Sequence, residues 1–94
     1  MSADEPWLDG LRQKFLARLA EEHAAFCALS EAADREGIIA RAHKLAGIAG
    51  MLGAPQIGEA ALLLEETARS GDAYAAPCAA LIDALAAATN TTPR

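Results

Sequence analysis

The stretch AHKLAGIAGMLGAPQIGEAALLLEETARSGD, residues 42–72, contains the end of one helical pattern and the whole of the next. Apolar residues recur every three or four positions on both sides of a short break, which is the period of a helix with one buried face. Gly53 is well placed to end the first helix as a left-handed residue. Pro55 suits the first turn of the helix that follows. Because the break is short, the two helices are predicted to pack as antiparallel neighbours.

The helical pattern continues in both directions and predicts four helices in total. Their expected limits are about 8–32, 36–52, 55–69 and 75–89. The residues expected to face the core are Leu8, Leu11, Phe15, Leu19, Phe26, Leu29, Ile38, Ala42, Leu45, Ala49, Leu52, Ile57, Ala61, Leu64, Ala68, Cys78, Leu81, Leu85 and Ala88. Asp34 suits the N-cap of the second helix, and Ser70-Gly71-Asp72 suits a turn before the fourth. Short connections predict an all-α, antiparallel up-down four-helix bundle, with residues 1–94 as a single domain.

Length and charge restrict the class of protein. The chain has 94 residues, 53% of them hydrophobic and only 4% aromatic, which fits one small helical domain. A formal net charge of −5 argues against a general nucleic-acid binder, which needs a basic surface. The N-terminus MSADEPW is acidic where a secretory signal is basic, and no apolar run approaches the ~18 residues of a membrane helix. We therefore expect no membrane association and a cytoplasmic location.

The two cysteines, Cys27 and Cys78, are far apart and form no CxxC pair. In a cytoplasmic protein they are expected to be reduced and buried. His23 and Cys27, at i and i+4, are two candidate metal ligands, but without a second pair they are a weak signal. No metal site is predicted.

His43 lies on the second helix, one residue after the core position Ala42, and is therefore turned about 100° away from the buried face. Its own face is bare, with Ala46 at i+3, Gly47 at i+4 and Gly50 at i+7. Each glycine inside a helix costs about 1 kcal/mol relative to alanine. Two explanations are open: close packing of another helix of the bundle, or access of a second protein to the imidazole.

Arg41 and Lys44 flank His43 and place a local basic patch on an acidic protein. Such a patch helps to hold a phosphoryl group and to meet an acidic partner. The alternative is that both side chains merely solvate an exposed helix face.

Together these residues resemble the signature of the histidine-containing phosphotransfer (HPt) domain. The matching residues are His43, Leu45, Gly47, Gly53 and the pair Leu64-Glu65. The resemblance covers most of the chain, because the long helix before this region and the helix after it match in kind and order. The family's common lysine three residues after the histidine is Ala46 here, while Lys44 carries a charge nearby.

The resemblance implies that His43 takes a phosphoryl group from the aspartate of a receiver domain and passes it to another receiver, through Nε2. Glu65 would orient the imidazole, unless it is simply a solvated helix residue. Lys44 and Arg69 would support the phosphohistidine, although Arg69 also fits an ordinary i, i+4 pair with Glu65. The expected partner-docking residues are Arg41, Ala46, Gly47 and Gly50.

The resemblance also implies the partners, which are response-regulator receiver domains and a histidine kinase of the ordinary or hybrid type. No cofactor of its own is expected, because Mg²⁺ would come with the receiver domain. Autokinase activity is not expected, since Lys44 stands where kinases carry an acidic residue and no Gly-rich nucleotide-binding segment is present. A monomer is expected because His43 must stay accessible. The alternative function is a non-catalytic helical adaptor that binds a partner through the Gly47/Gly50 face.

Overall fold

The computed structural model describes residues 6–51 and 54–90, which form four α-helices joined by short connections. The helices are α1 (Pro6–Ala32), α2 (Arg35–Met51), α3 (Pro55–Arg69) and α4 (Ala75–Asn90). The described residues contain no strand, and the predicted all-α antiparallel four-helix bundle is confirmed. α1 packs mainly against α4 and α2 mainly against α3, whereas α1 and α2 touch over only a short length. None of the described helices is long and apolar enough to cross a bilayer.

Asp34 begins α2 as its N-cap. The backbone N–H of Gly37 donates to Asp34 Oδ1 at 3.0 Å, which satisfies one of the free N–H groups of the first turn. A Cβ added to Gly37 would lie 2.7 Å from Asp34 Oδ2 and 2.7 Å from Leu29 Cδ2. A larger residue at position 37 would therefore require the side chains of Asp34 and Leu29 to shift.

α1 and α3 end in the same type of turn. Two backbone N–H groups after each helix bond back to carbonyls of its last turn, and after α1 the outer bond joins Asp34 to Leu29 at 3.1 Å. The residue inside the turn is left-handed in both cases, with φ 53° at Ala33 and φ 81° at Gly71. This is the Schellman arrangement, which favours glycine. Gly71 adopts it without strain, whereas Ala33 carries the steric cost of its Cβ.

One face of each helix forms the core. The buried apolar residues are Leu19, Phe26, Ile38, Ala42, Leu45, Ala49, Ile57, Ala61, Leu64, Ala68, Cys78, Leu81 and Leu85. Every described core position predicted in α2 and α3 is buried, while Phe15, Leu29 and Ala88 lie half-buried at the edge. The predicted core residues Leu8, Leu11 and Leu52 and the predicted helix end Gly53 lie outside the residues whose side chains are described.

α2 and α3 are held side by side along their length, which fixes the surface they share. Near one end, a Cβ on Gly58 of α3 would lie 3.5 Å from the carbonyl oxygen of Ala46 on α2. Near the other end, Arg35 Nη1 donates to the carbonyl of Ala68 at 2.6 Å. The same guanidinium stacks over the ring of Tyr74, 4.8 Å from its centroid. Side chains facing each other across α2 and α3 are therefore held in defined positions.

Candidate functional site

An exposed histidine and a buried carboxylate face each other across α2 and α3. The side chain of His43 is 69% exposed and that of Glu65 is 9% exposed, and His43 Nδ1 lies 3.0 Å from Glu65 Oε2. An ionised carboxylate can only accept a hydrogen bond, so Nδ1 carries the proton in this pair. In the neutral imidazole, the other ring nitrogen, Nε2, then keeps its lone pair. The arrangement fixes both the tautomer and the orientation of an accessible imidazole.

Arg69 shares the same acceptor atom. Its Nε donates to Glu65 Oε2 at 2.9 Å from one turn further along α3. Burial alone raises the pKa of Glu65, but the hydrogen bonds from Arg69 and His43 outweigh burial and hold the pKa below its usual value. Glu65 is therefore an anion at neutral pH. Glu65 therefore has a structural role, and the alternative that it is simply a solvated helix residue does not describe it.

The surface of α2 beside His43 is bare because of Gly47 and Gly50. Both glycines are exposed, and a Cβ added to either would meet nothing within 4 Å. Close packing inside the bundle therefore does not require either glycine. Of the two explanations left open by the sequence, the geometry favours access to His43.

A shallow cavity of about 510 Å³ adjoins His43. Its lining residues are His43, Ala46, Gly47, Leu62, Glu65, Glu66 and Arg69. Leu62 is exposed and gives the cavity an apolar edge, and Leu63 beside it is also exposed. Leu62 is not among the site residues predicted from the sequence. The sequence does indicate an exposed leucine here. Three successive leucines at 62–64 point about 100° apart around a helix and cannot all face one core.

Two of the expected site residues lie away from His43. Arg41 Nε donates to Oε1 of Glu22 on α1 at 2.8 Å, and Lys44 lines a groove between α1 and α2. Residues 41 and 43 are about 200° apart around a helix, which explains why neighbours in sequence face different helices. Arg69 is the cationic side chain that the structure brings into the cavity of His43.

The candidate metal ligands His23 and Cys27 do not gain further ligands. Within residues 6–51 and 54–90, no group of three or more His, Cys, Asp or Glu side chains is arranged to hold a metal ion. Both cysteines are free thiols, with Cys78 buried as expected and Cys27 only partly buried. Burial raises the pKa of the Cys78 thiol, which suits a small core residue.

Comparison with known proteins agrees with this geometry. Residues 10–91 match the family model of the Hpt domain, whereas no curated protein and no solved structure gave a significant match. The matched region includes the helices that carry His43, Glu65 and Arg69. Hpt domains interact with receiver domains and histidine kinases, and the match supports a histidine phosphotransfer role in two-component signalling. Because the match spans most of its length, the chain belongs to the histidine-containing phosphotransfer (Hpt) domain family.

Proposed function

We propose that this protein carries a phosphoryl group on Nε2 of His43, between the aspartate of one receiver domain and the aspartate of another. The observation that supports the proposal is the exposed imidazole held through Nδ1 by a buried, ionised carboxylate. A phosphoryl carrier needs an accessible nucleophile in one fixed tautomer, and Glu65 provides that condition.

The transfer step follows from this hydrogen bond. The lone pair of Nε2 attacks the phosphorus of an aspartyl phosphate, an N–P bond forms, and the P–O bond to the aspartate breaks. The aspartate carboxylate leaves with the electron pair, and the imidazole ring becomes positively charged. Glu65 Oε2, already 3.0 Å from Nδ1, stabilises that charge without reorganisation. The reverse step on a second receiver returns the ring to its neutral form.

Arg69 is the residue we assign to the phosphoryl oxygens. It lines the cavity of His43, and its Nη groups make no hydrogen bond within the described residues. The small side chain of Ala46, at the position of the family's lysine, leaves space for this guanidinium to approach from α3. Lys44 lines a different groove, so we assign it no role at the phosphohistidine.

The docking surface in this proposal is the bare strip of α2 together with its apolar edge. Ala46, Gly47 and Gly50 let the acidic site of a receiver domain approach His43, and Leu62 offers apolar contact beside them. The receiver brings the Mg²⁺ that neutralises the transferred group. We propose a monomeric, cytoplasmic carrier, supplied by a histidine kinase of the hybrid or ordinary type. Size-exclusion chromatography with light scattering would contradict the monomer if it found a dimer that buries α2.

A phosphotransfer assay tests the proposal. Receiver domains from the same cell are labelled by their kinases with radioactive ATP and Mg²⁺, then mixed with wild type, His43→Gln or the control His23→Gln. We expect acid-labile label on wild type and on the His23 variant but not on the His43 variant. If receivers bind the protein and none labels it, the phosphoryl-carrier function is wrong and the adaptor function replaces it.

A further inference from the structure

A groove runs between α1 and α2, separate from the cavity of His43. The two helices touch over only a short length, and a cavity of about 290 Å³ opens between them. The charged part of its lining contains Arg18, Glu22, Arg41 and Lys44. The remainder is apolar or small, formed by Leu29, Gly37 and Ala40. Neither the family match nor the phosphotransfer proposal uses this groove.

A buried carboxylate organises the charged part. Glu22 is 2% exposed and lies in the apolar stripe of α1, between Leu19 and Phe26. Its Oε2 accepts a hydrogen bond from Arg18 Nε at 3.0 Å, and its Oε1 accepts one from Arg41 Nε at 2.8 Å. Each carboxylate oxygen is therefore used, and each guanidinium is held at its inner nitrogen.

The groove carries more positive charge than Glu22 neutralises. Three cationic side chains, Arg18, Arg41 and Lys44, adjoin one carboxylate, which gives the lining a formal charge of +2 in a chain of net charge −5. The outer Nη groups of both arginines make no hydrogen bond within the described residues. Guanidinium groups with fixed orientation and free donors match the oxygens of a phosphate group.

We infer that this groove binds the dianionic phosphate group of a small molecule, with a phosphate monoester as the ligand class. A charge of −2 balances the +2 of the lining. The cavity has about the volume at which small-molecule sites begin. The uncharged part beside Leu29, Gly37 and Ala40 would accept the organic portion of a monoester. Glu22 acts as a positioning residue, since it holds both arginines and has no free oxygen for the ligand.

Nuclear magnetic resonance titration tests this inference on the full chain. Inorganic phosphate and phenyl phosphate are each added at pH 8 and constant ionic strength, and the backbone amide shifts are followed. We expect saturable shifts at the groove residues, and tighter binding of phenyl phosphate than of inorganic phosphate. Equal affinities would overturn the monoester and indicate free phosphate as the ligand.

Matched charge variants locate the site. Arg18→Gln and Lys44→Gln are each expected to weaken phenyl phosphate binding about tenfold, since each removes hydrogen bonds to a charged group. Lys14→Gln is the control, because Lys14 is an exposed lysine of α1 that does not line the groove. Circular dichroism melts confirm that each variant is folded. Shifts that do not saturate, that centre on His43 and Arg69, or that persist unchanged in both groove variants would overturn the inference. The arginines would then only compensate Glu22.

Discussion

Replacing Gly47 by alanine is expected to stabilise the fold and to slow phosphotransfer at the same time. A Cβ at this position meets nothing within 4 Å, so the added methyl group causes no strain inside the protein. An interior helical glycine replaced by alanine gains about 1 kcal/mol. In a domain of this size that gain raises Tm by about 4–8 °C. Gly50→Ala is expected to act in the same way.

In the proposed function, the same methyl group stands where a receiver domain approaches His43. One extra carbon in a close-packed contact costs about 1–3 kcal/mol. If the cost falls on the transition-state complex, kcat/KM for transfer falls about 5- to 150-fold. Stability and activity therefore move in opposite directions, which loss of folding cannot explain.

The assay measures thermal unfolding and the rate of label transfer from a phosphorylated receiver domain, for Gly47→Ala and for Gly10→Ala. Gly10 is a matched control, since it is an exposed glycine of α1 whose added Cβ also meets nothing within 4 Å. Gly10→Ala should stabilise the protein and leave transfer unchanged. A destabilised Gly47→Ala protein, or one that accepts phosphate at the wild-type rate, would refute the access explanation.

Four further predictions follow from the site and the fold. Glu65→Gln is expected to slow transfer at least tenfold. Because the folded-state pKa of Glu65 is lowered from 4.5, the variant should also be less stable than wild type at pH 7. In denaturation curves, the two stabilities should converge as the pH falls below 4.5. Arg69→Gln is expected to slow transfer, and adding Ala46→Lys should restore part of the rate; no rescue in the transfer assay would argue against a shared phosphoryl-binding role. Ala33→Gly is expected to gain about 1 kcal/mol in urea denaturation, because glycine relieves the left-handed backbone at φ 53°. Glu22→Leu should leave the free energy of unfolding within about 1 kcal/mol of wild type, since Arg18 and Arg41 are 42% and 41% exposed and stay solvated when their buried partner becomes apolar; a loss above about 3 kcal/mol in urea denaturation would contradict this.

The fold was predictable because helix periodicity is local. The buried positions of α2, Ile38, Ala42, Leu45 and Ala49, follow from spacing alone. Asp34 was recognisable as a cap because its side chain acts on the next three residues. The sequence predicted the end of α1 near residue 32, but it did not predict the left-handed backbone of the next residue, since Ala33 adopts a conformation that the rules assign to glycine.

The buried charge on α1 was missed for a different reason. Residues 15, 19, 22, 26 and 29 step by 4, 3, 4 and 3, so Glu22 fills a core position of the stripe. A charged residue at that spacing is ordinarily interpreted as an interruption of the apolar stripe. Its burial depends on Arg18, one turn away, and on Arg41, from another helix. Only the packed structure shows that this second arginine is present.

The site was predictable by residue type and less so by position. His43 and Glu65 were identified through a family resemblance, and the structure adds their distance and the shared donor Arg69. Arg41 and Lys44 were grouped with His43 because they are adjacent in sequence. On a helix, adjacency separates side chains by about 100° for each residue, and Arg41 turns to α1 instead.

The two carboxylates that are buried among the described residues differ in one respect that bears on function. Glu22 is held by two permanent cations, whereas Glu65 is held by one permanent cation, Arg69, and by an imidazole. When the imidazole is neutral, Glu65 therefore has less positive charge around it than Glu22. The proposed phosphorylation at Nε2 of His43 would make the ring positive and supply the missing charge at a distance already set to 3.0 Å. Glu65 thus interacts more strongly with the phosphorylated ring than with the neutral one, and an interaction that strengthens along the reaction accelerates it.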